Sequence, residues 1–159
     1  MGAAGGGRKG FRSAAATPVR RPRYSPAAVL FGILSLMEKR KRIVVLDDNE
    51  VFASLIAADL ETDYEVVVGL NGRDGLRLCL AAHTDLLVTD IGMPELDGIQ
   101  MLEEFQKDGN LSAIPVIVVT ATHFTTRSRS DVARYPQVRG VLSKTCDMAV
   151  IMTHIRQAL

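Results

Sequence analysis

Cysteine, histidine and nucleotide-loop glycine patterns are nearly absent from this sequence of 159 residues, and each absence removes a class of function. Cys79 and Cys146 form no CxxC and stand at no metal-ligand spacing, so neither a disulfide framework nor a zinc ribbon is expected. So few cysteines fit a reduced compartment, and the cytoplasm is the expected location. His83, His123 and His154 are scattered without a Cys or carboxylate companion at ligand spacing, and no histidine is assigned a role. GxxxxGK[ST] does not occur, and the one GxGxxG match, Gly5 to Gly10, has no apolar strand before it, which argues against a bound nucleotide. The longest apolar stretch, "AAVLFGILSLM", is eleven residues, too short to span a bilayer, and no small-residue cleavage site follows it.

Acidic residues are also missing where the chain begins. Residues 1–42 carry ten Lys or Arg against Glu38 alone, whereas residues 43–159 carry nine against seventeen Asp or Glu. The first part is rich in Gly, Ala, Pro and Arg without apolar periodicity, so residues 1–41 are read as a disordered basic extension. Three readings stay open for it: an organelle transit peptide, a basic tail for membrane or nucleic acid, or a segment upstream of a true start at Met37. The last is favoured, because "MEKRKRIVVLDDNE" leads straight into a first strand. The remainder, residues 42–159, is of one-domain length and needs neither disulfide nor metal to form a core.

From Ile43 onward, short apolar runs alternate with amphipathic stretches. "RIVVL", "YEVVVGL", "DLLVT", "PVIVV" and "VRGVL" are short and rich in Val, Ile or Leu, which predicts five strands. Between them Phe52, Leu55, Ile56 and Leu60 define one predicted helical face, Leu76 and Leu80 a second, and Ile99, Leu102 and Phe105 a third. Met148, Ile151, Ile155 and Leu159 make the last. A fourth helix, His123 to Arg134, must come from an Arg-rich stretch with few apolar residues, and it is expected to be the least firmly held. Strand alternating with helix predicts an α/β fold, a doubly wound (βα)5 with a five-stranded parallel sheet.

"LLVTDIGMPELDGI", residues 86–99, runs from a strand into an aspartate at its exit. Ligands in open α/β sheets collect at the carboxyl ends of the strands. Alone, Asp90 reads first as a turn residue, whereas Asp47 and Asp48 read equally as caps of the first helix, Thr120 as a strand residue and Lys144 as a solvated one. Together they meet in one crevice from four loops. Three carboxylates so gathered repel each other unless a cation sits among them, and Mg2+, a hard ion commonly held by carboxylates and phosphate, is the economical choice. That implies a phosphoryl group, with Lys144 and Thr120 on its oxygens and Asp90 as the nucleophile. Asp97 reads as the cap of the third helix.

"VVLDDNE", "VTDIGMPELDGIQML", "IPVIVVTA" and "GVLSK" resemble the receiver domain of two-component response regulators. The resemblance covers residues 42–159 and implies a flavodoxin-like fold. It implies that Asp90 takes a phosphoryl group from a kinase phosphohistidine, with Mg2+ held by Asp48, Asp90 and the main-chain carbonyl of Gly92, and by Asp47 through water. Thr120 and Lys144 match the switch hydroxyl and the phosphate-binding lysine. Two positions depart from the pattern: Thr145 follows Lys144 where receivers usually place a cis proline, and Val141 stands where many place a rotating aromatic. A cis bond before a non-proline costs about 2.5 to 4 kcal/mol, so a trans, rearranged loop is expected.

The chain's end at Leu159 adds the expectation of a chemotaxis-type stand-alone receiver, monomeric or weakly dimeric, with no nucleic acid bound by the receiver. Expected partners are a sensor histidine kinase or histidine phosphotransfer protein, and a downstream protein docking on the face of the fourth helix, fifth strand and fifth helix. No enzymatic activity is expected beyond its own phosphorylation and dephosphorylation. The alternatives are a receiver-like interaction module acting without phosphorylation and, more remotely, a small Mg-dependent phosphatase. The latter is disfavoured because no D-x-D nucleophile loop follows the first strand.

Overall fold

The computed structural model describes residues 39–121 and 126–159 and, before them, residues 2, 25, 27, 29 and 30, with backbone alone at 126–129. The extension read over residues 1–41, including the start at Met37, lies outside the described residues apart from these few and residues 39–41. Strands β1 (Arg42–Leu46), β2 (Glu65–Gly69), β3 (Leu86–Thr89), β4 (Val116–Thr120) and β5 (Val138–Ser143) alternate with helices α1 (Glu50–Leu60), α2 (Gly72–Ala81), α3 (Gly98–Phe105), α4 (Thr126–Ala133) and α5 (Met148–Ala158). The strands form one sheet in the order β2-β1-β3-β4-β5, and every pairing is parallel.

Period-two alternation along the strands separates two cores. Val44, Leu46, Leu87, Val116 and Val118 point to the face covered by Cys79, Met101, Leu102, Phe105 and Val132 of α2, α3 and α4. Ile43, Val45, Leu86, Val88, Ile117 and Val119 point to the other, covered by α1 and α5 through Ala53, Ile56, Leu60, Ile151 and Ile155. Because β1, β3 and β4 are covered on both faces, their residues are buried without exception, which explains why they read as unbroken Val, Ile and Leu runs. Each such side chain contributes about 1.5 to 3 kcal/mol of burial.

Two helical faces differ from the sequence expectation. Leu55 is 56% exposed and Leu80 is 63% exposed, while Ala53 and Ala57 on α1 and Gly72, Gly75 and Cys79 on α2 are buried in their place. Small residues let these helices approach the sheet closely: a β-carbon on Gly75 would lie 2.5 Å from Leu46 Cδ1 and from Met101 Sδ. Counting only large apolar residues therefore rotates the predicted face. The described part of the fourth helix is Thr126–Ala133, and its expected start at His123 lies outside the described residues. Among its described side chains, Val132 is the buried one.

Asn49, Asn71, Asp97 and Asp147 cap α1, α2, α3 and α5. The cap of α1 is thus Asn49, whose side chain accepts the N–H groups of Val51 and Phe52, so neither Asp47 nor Asp48 is committed to that role. Asp97 forms a capping box with Gln100, as its position suggested. The chain leaves β1 toward one edge, through β2, and continues from β3 toward the other. This reversal opens the crevice at the carboxyl ends of β1 and β3.

Candidate functional site

Backbone ladders deliver each side chain to that crevice. Asp47 follows β1 and donates its N–H to Gly69 O, and Asp90 follows β3 and donates to Leu46 O at 2.9 Å. Thr120 is the last residue of β4, and its carbonyl accepts the Lys144 N–H at 2.7 Å, which fixes the start of the loop after β5. Asp47 is 2% exposed and Asp90 5%, whereas Asp48 is exposed. One carboxylate oxygen of each lies within 4.8 Å of the others.

The Lys144 ammonium sits between the two buried acids, 2.7 Å from Asp47 Oδ2 and 2.7 Å from Asp90 Oδ2. The other oxygen of Asp90 accepts the N–H groups of Ile91 and Gly92. Asp47 Oδ1 accepts the Asn49 N–H at 2.9 Å. Burial pushes the Asp47 carboxyl up, and the hydrogen bonds from Lys144 and the Asn49 amide offset this only in part. At Asp90 burial also acts upward, but Lys144, the Thr120 hydroxyl and the Gly92 amide outweigh it and leave the carboxyl below its ordinary value. Burial draws Lys144 down, yet its two carboxylate partners prevail and hold the ammonium above the usual lysine range. One cation shared by two acids leaves Asp90 the better stabilised anion.

The loop from β3 to α3 is closed on itself. Gly98 donates to Ile91 O at 3.0 Å, and a β-carbon at Gly98 would lie 2.4 Å from the Asp90 carbonyl oxygen, so only glycine lets α3 start this close to Asp90. Glu95 adopts a positive φ of 64° and forms a 3.6 Å ion pair with Arg73. Every described peptide bond is trans, including Lys144–Thr145. The Thr145 hydroxyl is 2.8 Å from Ser143 Oγ, a local contact that shapes this loop. Val141 is half-buried against the core under α2, α3 and α4.

The fold therefore brings Asp47, Asp48, Asp90, Thr120 and Lys144 together, with the Gly92 amide beside Asp90. The sequence reading missed two contributors. Asn49 links the acid pair to α1, a role its position before a helix could have signalled. Phe52, read only as part of an apolar face, has its ring under the Lys144 ammonium at 5.2 Å. A cavity of about 520 Å³ bounded by Cys79, Thr84, Asp85 and Ile114 lies at the opposite, amino ends of the strands and contains none of these residues.

Oxygen donors alone, two of them buried acids, suit a small hard cation such as Mg2+ better than a soft one. Comparison with known proteins agrees with this geometry. The profile of the response regulator receiver domain matches residues 43–156. The chain is 39% identical over 80 residues to Protein PilH of Pseudomonas aeruginosa, covering 50% of this chain and 66% of PilH. It is 34% identical over 82 residues to the polar-differentiation response regulator DivK of Brucella abortus, covering 51% and 67%. Other relatives are far longer: the match to sensor histidine kinase TmoS of Ectopseudomonas mendocina, 32% identical over 50% of this chain, spans 8% of that protein. Among solved structures, response regulator TrrA of Thermotoga maritima in complex with Mg(2+)-BeF superposes with a TM-score of 0.63 at 25% identity, over 75% of this chain and 99% of that one. The receiver domain of a Pseudomonas aeruginosa sensor histidine kinase, with magnesium in its active-site cleft, shares the fold with a TM-score of 0.65 at 23% identity, over 74% and 95%. With the profile spanning the whole sheet and its crevice, the chain belongs to the response regulator receiver domain family of two-component signalling.

Proposed function

We propose that the protein is a phosphoacceptor in a two-component phosphorelay, and that Asp90 takes the phosphoryl group from a kinase or phosphotransfer phosphohistidine. The observation that carries this reading is the Asp90 carboxylate held at the end of β3 by two amides and Lys144, with the oxygens of Asp47 and Asp48 within 4.8 Å. The bond from the donor nitrogen to phosphorus breaks as that from an Asp90 oxygen forms, and the electron pair leaves on the imidazole. Asp48, Asp90 and the Gly92 carbonyl, with Asp47 behind them, would hold Mg2+. That ion would neutralise phosphoryl charge. Lys144 pairs with one phosphoryl oxygen and the Thr120 hydroxyl donates to another, so both favour the loaded state.

In this reading the receiver unit runs from residue 42 to 159, and its output is a docking surface on α4, β5 and α5. No helix among the described residues is long and apolar enough to cross a membrane. Intact-mass measurement after incubation with Mg2+ and a small acyl-phosphate donor tests the assignment. The expected result is one hydroxylamine-labile phosphoryl group on the wild type and none on Asp90→Ala. Equal modification of both would overturn it, and no modification of either would favour an interaction module that works without phosphorylation.

A further inference from the structure

Lys144 is a long side chain asked to hold one position between two carboxylates, and hydrogen bonds to the acids alone do not define it. Both acids attract it, so the ammonium can slide toward either unless a third group limits it. The Lys144 side chain is 19% exposed, and the Phe52 ring lies 5.2 Å from its Nζ, within the range of a cation over an aromatic face. The ring is itself tied to the acid pair. Asp47 Oδ1 accepts the Asn49 N–H, and Asn49 Oδ1 in turn accepts the Phe52 N–H at 3.2 Å, so the residue that needs the lysine and the ring that seats it share one short hydrogen-bonded path. From the other side, the Lys144 N–H to Thr120 O bond of 2.7 Å anchors the lysine backbone, while Thr145 turns back to Ser143 and leaves the side chain pointing across the crevice to α1.

We infer that Phe52 is a positioning residue for Lys144: its ring holds the ammonium beside Asp90 so that the lysine meets the phosphoryl oxygens without a search through rotamers. This rests on the phosphoacceptor reading for its consequence, but not for the placement itself. An aliphatic side chain of similar bulk keeps the packing of α1 and loses the attraction of the ring face. A tryptophan restores the face.

The test uses the full chain as wild type, Phe52→Leu and Phe52→Trp, with thermal melts to confirm that each is folded. Proton NMR in metal-free buffer reads the Lys144 ε-methylene, which a ring beneath it shifts upfield. The shift is expected in wild type and Phe52→Trp and absent in Phe52→Leu. Phosphorylation by a small acyl-phosphate donor, which docks on no helix, is expected to slow roughly tenfold in Phe52→Leu and recover in Phe52→Trp, the size a partly desolvated cation–π contact supports. A wild-type Lys144 without the upfield shift, or a Phe52→Leu protein phosphorylated at the wild-type rate, would overturn the inference. Failure of the wild type to accept phosphate would strike the phosphoacceptor reading, while the NMR shift would still decide where Phe52 holds the lysine.

Discussion

Replacing Lys144 by methionine keeps the length of the side chain and removes the one positive charge between Asp47 and Asp90. Both acids are nearly inaccessible, so water cannot take the place of the ammonium. Removing one partner of a buried pair costs about 3 to 5 kcal/mol, and the residual 19% exposure of the lysine side chain argues for the lower end, about 3 kcal/mol. For a unit of this size that corresponds to a fall in Tm of roughly 10 °C. The loss must depend on pH. In the wild type, the depressed pKa of Asp90 stabilises the fold above the unfolded value of about 3.9, and that contribution disappears as pH falls through the folded value. Asp47 has the opposite sign: its raised pKa opposes folding at neutral pH, and the opposition is relieved as pH falls through that raised value. Without Lys144 the upward push of burial is opposed only by the Asn49 amide at Asp47 and by the Thr120 hydroxyl and Gly92 amide at Asp90, so the deficit of Lys144→Met should be full at pH 7 and shrink toward pH 4 as the acids take up protons. Urea melts in chelator at pH 7 and pH 4.5 measure this, and millimolar Mg2+ at pH 7 should return much of the loss. A Lys144→Met protein as stable as wild type at pH 7 without metal, or a deficit that does not change with pH, would refute the argument.

Two further perturbations probe the acid cluster and its loop. Asp48→Ala removes a proposed metal ligand and one of three mutually repelling charges, so phosphorylation should be lost while the Tm in metal-free buffer stays level or rises; a marked destabilisation there would make Asp48 a structural group. Gly98→Ala forces a β-carbon to within 2.4 Å of the Asp90 carbonyl oxygen, and the shift it demands should cost about 1 to 3 kcal/mol and slow phosphoryl acceptance. Chemical denaturation and the acyl-phosphate assay read the two effects, and an unchanged protein would show that the β3–α3 loop has slack.

The three central strands were legible because a parallel sheet covered on both faces favours apolar residues between the strand ends, and "RIVVL" coincides with β1 residue for residue. Asp47, Asp48, Asp90, Thr120 and Lys144 were legible for a related reason: each stands just where an apolar run stops, and the sheet order sends those ends to one place. Helical faces were read less well. Leu55 and Leu80 drew the predicted faces toward themselves, whereas the real contacts are made by Ala53, Ala57, Gly75 and Cys79, whose value is closeness of approach and not bulk. Nor could the one-dimensional pattern show Phe52 under Lys144, since that contact joins residues far apart in the chain through the geometry of a loop.

The strand order has a consequence for how the protein matures. Asp47, Asp90, Thr120 and Lys144 are supplied by β1, β3, β4 and β5, which lie side by side in the sheet but are separated along the chain by complete helices. No hairpin or local fragment contains two of the four. A chain that has paired only its first strands offers an acid pair with neither acceptor nor lysine, and one that lacks β5 leaves its acids uncompensated. The complete cluster therefore arrives last in assembly and all at once, so under the proposed function a nascent or partly unravelled copy could not accept a phosphoryl group.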